Sequence, residues 1–235
     1  MADPAFRPAL LVVDMQEDFC PPNGSLAVAE GRDITPLINT LLALPSTTLP
    51  LKIATKDWHP PNHISFAINH HDPPKQPFTD TTTITNPSNP SETYTTRLWP
   101  AHCIQHTPGA NLIPELDTTR LTHTIEKGTD PRVEMYSAFY TPLTSPRVSD
   151  SGLTTLLREA GTTHVYVVGL AADYCVRSTA ADAAREGFVA VVIEEATRAV
   201  DPAGWAACKG EMEAEGVRVV GWEGEEVRRL FRGNE

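Results

Sequence analysis

The chain has 235 residues and is 40% hydrophobic, enough for one well-buried core, with no composition shift that would split it into two comparable domains. Its formal charge of −11, from 30 acidic against 19 basic residues, argues against binding nucleic acid or an anionic membrane, because both need clustered positive charge. A single domain over residues 1–235 is expected.

Residues 1–8 lack a basic stretch followed by an apolar one of leader length, and no run approaches the roughly 18 apolar residues of a membrane span. A soluble intracellular chain is expected, in the cytoplasm, with nucleus and peroxisome left open. The first strand is predicted over 9–14, followed by a helix over 34–44 and a strand over 49–55. Residues 70–98 break the rhythm: the stretch is rich in Thr, Pro and Asn with almost nothing apolar to bury, and reads as a partly mobile surface insertion. Beyond it come a helix over 109–116, a strand over 121–126, a helix over 151–160 and a strand over 163–168. Then follow a helix over 175–186, a strand over 189–193, a helix over 205–215, a strand over 217–220 and a solvated terminal helix over 223–232. Gly161, Gly187 and Gly216 serve as helix stops. This alternation predicts an α/β fold with a mostly parallel sheet covered by helices on both faces, three α-β-α layers.

In open parallel sheets the functional site lies at the carboxyl ends of the strands. Asp14 ends the first predicted strand, Lys127 follows the third, and Cys175 lies in the turn after the fourth, opening a helix. A helix N-terminus favours a thiolate, so a lowered pKa is expected for Cys175. A carboxylate to take the thiol proton, an ammonium to stabilise anions and a thiolate to attack a carbonyl make a nucleophile set. The turn 169–175 starts with glycine, and backbone N–H groups near Ala171 and Cys175 are candidates for an oxyanion hole. The remaining cysteines, Cys20, Cys103 and Cys208, are widely spaced in a chain with no secretion signal and read as reduced core residues.

A second group comprises Asp57, His59 and His63 after the second strand, with His102 and Cys103. Imidazoles and a carboxylate suit a borderline divalent metal such as zinc, iron or manganese. Pro60 and Pro61 argue against a helical HExxH arrangement of His59 and His63, and no Glu follows His59.

The runs Val12-Val-Asp14-Met-Gln-Glu-Asp-Phe19, Asp57-Trp-His59-Pro-Pro-Asn-His-Ile-Ser-Phe66, Trp99-Pro-Ala-His102-Cys, Lys127-Gly and Val168-Gly-Leu-Ala171-Ala-Asp-Tyr-Cys175-Val occur in this order. In them the chain resembles the isochorismatase-like cysteine hydrolases, and within these the nicotinamidases of eukaryotic, fungal type, from residue 9 to about residue 200. The resemblance implies a catalytic triad of Asp14, Lys127 and Cys175, a divalent metal (zinc, with iron or manganese as alternatives) held by Asp57, His59 and His102, and no organic cofactor. It also implies that Phe19 and Trp99 sandwich the substrate ring, and that a non-proline cis bond enters Ala171. The implied reaction is deamination of nicotinamide, and of pyrazinamide, to the acid and ammonia through a cysteine thioester, in NAD salvage. His63 stays outside the implied ligand set. Two alternatives remain open: a related hydrolase of another small amide or ureido compound, and a catalytically silent metal-binding scaffold. The expected partner is a small-molecule substrate; a homo-oligomer is left open.

Overall fold

The computed structural model describes residues 6–232. Residues 1–5 and 233–235, the ends of the expected domain and most of the stretch read as lacking a leader, lie outside the described residues. In chain order the elements are β1 (Pro8–Val13), α1 (Thr35–Leu42), β2 (Leu51–Asp57), β3 (Thr81–Asn86), β4 (Asn89–Arg97), β5 (His123–Lys127), α2 (Leu153–Glu159), β6 (His164–Leu170), α3 (Arg177–Arg185), β7 (Val189–Arg198), α4 (Trp205–Ala214), β8 (Arg218–Val220) and α5 (Glu225–Arg232). None of these helices is long and apolar enough to cross a membrane.

A six-stranded sheet runs in the order β5-β2-β1-β6-β7-β8, and every pairing in it is parallel. The chain steps outward from β1 to β2 and β5, then returns to the other side of β1 for β6, β7 and β8. The strand order thus reverses between β1 and β6, where ligand crevices form in such sheets. As central strands, β1 and β6 are buried along their whole length, which explains their unbroken apolar character. Side chains alternate between the faces. Leu10, Val12, Tyr166 and Val168 meet α1 and α5 through Ile38, Leu41, Val227 and Leu230. Leu11, Val13, Val165 and Val167 meet α2, α3 and α4 through Leu153, Leu157, Ala180, Ala183 and Met212.

Three segments depart from the sequence expectations. Residues 109–116 do not form a helix: only a short turn at Pro108–Ala110 is helical in character. Pro114 interrupts the segment, and its backbone pairs with residues 14–19 instead, Ile113 N–H donating to Met15 O (2.9 Å) and Glu17 N–H to Asn111 O (2.9 Å). Within the 70–98 stretch, β3 and β4 form an antiparallel hairpin whose threonines are β-branched and suit a pleated surface. Its Ile84 packs with Val133 and Leu143, with Tyr94 against them. The terminal helix α5 is amphipathic, burying Val227 and Leu230 against the sheet.

Gly169 sits where the β6–β7 register shifts, with φ +107°, and its carbonyl accepts a hydrogen bond from Thr197 Oγ1 (2.6 Å). A Cβ there would lie 2.1 Å from the Val13 carbonyl oxygen, so β1 and β6 can approach only because this residue has none. Gly169→Ala is expected to destabilise the protein by about 2–4 kcal/mol, from overpacking and the left-handed backbone together, and to lower Tm in a thermal melt. An unchanged Tm would contradict that packing.

Candidate active site

Four adjacent strands deliver the chemistry. Asp57 and Lys127 are the last residues of β2 and β5 and face each other as register partners. Asp14 follows β1 directly, with φ +48°, and Cys175 lies in a π-helical turn, Ala172–Val176, between β6 and α3. The peptide between Leu170 and Ala171 at the start of this turn is cis, as the resemblance implies. The loop carrying His102 is brought in by backbone pairing: His59 N–H donates to Cys103 O (3.0 Å), and Trp99 N–H to Ser65 O (2.8 Å).

The Lys127 ammonium is 1% exposed and lies at the centre. It pairs with Asp14 Oδ2 at 3.0 Å, with Asp57 Oδ1 more closely, and approaches Cys175 Sγ at 3.4 Å. Ligand atoms of Asp14, Asp57 and Cys175 lie within 4.8 Å of one another. Thr55 Oγ1 donates to Asp14 Oδ1 (2.6 Å), leaving Oδ2 turned to the ion pair and a lone pair free for the thiol proton. Burial raises the Asp14 carboxyl to about 6, with Lys127 opposing and the Asp57 charge adding to the rise. For Asp57, burial is outweighed by Lys127, His59 and His102, which hold it well below the usual carboxylate range. Burial tends to lower Lys127, but Asp14, Asp57 and Cys175 raise it well above its ordinary value.

Cys175 corrects the expectation of a depressed pKa. Burial pushes the thiol well up, and the opposing pull of Lys127 is countered by Asp14 and Asp57. That direction favours the thiol over the thiolate, with the Asp14 carboxyl beside it.

Beside this cluster, Asp57, His59 and His102 converge. His59 Nδ1 contacts Gly128 O (2.8 Å) and His102 Nδ1 contacts Pro100 O (2.8 Å). A carbonyl can only accept, so each Nδ1 carries the proton, and in the neutral imidazole that a metal requires each Nε2 keeps a lone pair. His59 Nε2 is buried with no hydrogen-bond partner. It lies 3.5 Å from Asp57 Oδ2, and His102 Nε2 lies 3.8 Å from the same oxygen. Ligands about 2.1 Å from a tetrahedral ion are roughly 3.4 Å apart, so these donors fit a divalent metal. His63 stacks on His59 (ring centroids 4.0 Å apart), and both its nitrogens are engaged by protein, with Ser65 Oγ (2.7 Å) and Val133 O (3.1 Å). It supports the set from behind. Glu134, buried beside these imidazoles, is held low by His63 and His59 against its burial.

A narrow pocket opens onto Cys175, walled by Phe19, Leu26, Val28, Trp99, Tyr136, Tyr174 and Val200, with Asp57, His102 and Ala171 also on its surface. Tyr136, Tyr174 and Val200 were not legible as site residues. Tyr174 adjoins Cys175, but Tyr136 carries no motif; its hydroxyl accepts from Trp99 Nε1 (2.9 Å) and bonds Thr96 Oγ1 of β4 (2.9 Å). The hairpin therefore reaches the pocket wall.

Fold and site together are those of a parallel α/β hydrolase with a buried cysteine beside a donor set that could hold a divalent metal. A model of the isochorismatase domain matches residues 8–224, and the chain belongs to the isochorismatase family. It is 43% identical over 193 residues to the nicotinamidase of Acinetobacter baylyi, covering 82% of each chain. Its structure is similar to that of the yeast nicotinamidase bound to the inhibitor nicotinaldehyde, with TM-score 0.83, 34% identity and coverage of 91% of this chain and 99% of that one. It is also similar to the pyrazinamidase of Pyrococcus horikoshii in complex with zinc, with TM-score 0.68, 33% identity and coverage of 92% and 99%.

Removing the central cation leaves two buried carboxylates uncompensated. Lys127→Met is expected to cost about 3–5 kcal/mol in urea denaturation with a chelator present. A loss below about 1 kcal/mol would show that Asp14 and Asp57 do not depend on this ammonium.

Proposed function

We propose that the chain is a nicotinamidase. It hydrolyses the carboxamide of nicotinamide, and of pyrazinamide, to the acid and ammonia through a thioester on Cys175, as a step of NAD salvage performed by one domain over residues 1–235. The observation that carries this reading is the approach of Lys127 Nζ to Asp14 (3.0 Å) and to Cys175 Sγ (3.4 Å) beside the Asp57–His59–His102 donor set. The names of the relatives supply the substrate class.

The ring would lie between Phe19 and Trp99 in the apolar pocket, with its carboxamide carbon beside Sγ. When bound by Asp57, His59 and His102, the divalent ion, for which we propose zinc with iron or manganese suited to the same donors, supplies an electron-pair acceptor for the ring nitrogen. Asp14 takes the Cys175 proton as sulfur adds to the carbonyl carbon, and the carbonyl electron pair moves to oxygen. Backbone N–H groups of Ala171 and Cys175 hold that oxyanion, while Lys127 balances the charge on the carboxylate pair. Collapse breaks the C–N bond, Asp14 protonates the departing nitrogen, and ammonia leaves. Asp14 then deprotonates a water that attacks the thioester; the second collapse expels the sulfur, which recovers its proton, and the acid is released. No step calls for an organic cofactor.

Purified protein with bound metal is expected to release ammonia from nicotinamide, and Cys175→Ala to reduce the rate by at least about 1,000-fold. Ammonia release that survives in Cys175→Ala would remove the mechanism, and none from the unsubstituted protein would remove the function.

The acid limb follows from Asp14. Its carboxyl is raised to about 6 in the folded protein, so the base is available above that pH and lost as pH falls through it. The value of kcat/KM should therefore decline about tenfold per pH unit below about 6. A profile flat from pH 7 to pH 5 would mean that another group accepts the thiol proton.

A further inference from the structure

Five residues after β1 tie Asp14 to the Asp57–His59–His102 donor set through two side chains, Gln16 and Asp18, that lie neither on the pocket wall nor among the donors. The side-chain amide of Gln16, fully buried, brackets the main chain of Asp57: Nε2 donates to Asp57 O (2.8 Å) and Oε1 accepts from Asp57 N–H (2.8 Å). Its second Nε2 proton goes to Ala110 O (3.0 Å). One amide thus satisfies both backbone groups of a residue at a strand end, where the parallel ladder no longer provides for them. Asp18, two residues on, accepts from Cys103 N–H through Oδ2 (2.7 Å). Cys103 follows His102 and has φ +45°, a left-handed turn that a non-glycine residue needs help to hold. The carboxylate lies so close to Gly109 that a Cβ there would stand 2.1 Å from Oδ2, so the position is built to receive it.

We propose that Gln16 and Asp18 are positioning residues for the metal, Gln16 fixing Asp57 and Asp18 fixing the turn that aims His102. The inference rests on the assignment of Asp57, His59 and His102 as metal ligands. Hydrogen bonds to the frame of first-layer ligands govern how well the donors converge, and their loss typically weakens metal binding about 10–100-fold. Asp14 and Phe19 flank these two residues, so one short segment sets the proton acceptor, the metal geometry and a pocket wall together.

The test is zinc affinity of metal-stripped protein, measured by competition with a chromophoric chelator, for the unsubstituted chain and for Gln16→Met, Asp18→Ala and Asp18→Asn, each checked for Tm. Gln16→Met keeps the volume and removes the amide, and Asp18→Asn keeps an acceptor oxygen for Cys103 N–H. Gln16→Met and Asp18→Ala should bind zinc about 10–100-fold more weakly, with Asp18→Asn within about threefold of the unsubstituted protein. A purely structural role would lower Tm while leaving the zinc affinity of the folded protein unchanged, and that result overturns the proposal. If Gln16→Met does not fold, the Asp18 pair decides: weakening in Ala with recovery in Asn supports the proposal, and equal affinity in Ala and Asn overturns it. An unsubstituted protein that takes up no zinc would refute the ligand assignment itself, an outcome distinct from variants that bind as well as their parent.

Discussion

One buried ammonium governs the site. Lys127 lies between Asp14 and Asp57 with almost no access to solvent, and without it two carboxylates within 4.8 Å of each other could not both remain charged. The two acids answer to it unequally. Asp57 also faces His59 and His102, so it is held ionised; Asp14 has only Lys127 and the Thr55 hydroxyl against its burial and comes to about 6. Two carboxylates sharing one cation thereby acquire separate characters, one a permanent anion and one a group that can take and return a proton near neutrality.

Such a cluster needs a frame that brings four chain segments to one place without exposing backbone. The parallel sheet supplies it, because β5, β2, β1 and β6 end side by side at the same edge. Asp57 opposite Lys127 is a direct consequence of the β2–β5 register, and a slip of one residue would turn one of them to the opposite face of the sheet. The β1–β6 pair, where the connection reverses direction, leaves the crevice for the turn that carries Cys175. The apolar layers on both faces keep the register rigid.

Much of this was legible in the sequence because parallel strands are written as apolar runs and candidate site residues stand where the runs stop: Asp14 and Lys127 follow that rule directly, and Cys175 lies in the turn after its strand. What escaped depends on partners remote in sequence. Residues 109–116 have a composition compatible with a helix, but their hydrogen bonds are taken by Met15 and Glu17, about 95 residues away by the principle that buried backbone groups find partners wherever they lie. The 81–97 hairpin was hidden because Ile84 and Tyr94 are the one apolar pair among threonines and other polar residues, too little for an apolar run; it nevertheless holds Tyr136 through Thr96, and through Tyr136 the indole of Trp99. Tyr136 itself belongs to no pattern that spacing could reveal.

The Cys175 thiol departs from the expected thiolate for a reason of magnitude. A helix N-terminus offers an anion about 0.3–1 kcal/mol, up to roughly 2 when partly buried, which is about one pKa unit. Burial acts in the other direction by as much as about 3–5 units, so Cys175, 5% exposed, rests as a thiol despite its place in the first turn before α3. A resting thiolate would also set a third anion beside Asp14 and Asp57, with one ammonium to balance all three. In the proposed reaction that balance changes only when a carbonyl arrives: as the proton passes to Asp14, negative charge moves through sulfur onto the substrate oxygen, away from the carboxylates and toward backbone N–H donors. In that proposed reaction charge separates along the reaction coordinate and not before it, so the buried anions are never three at once.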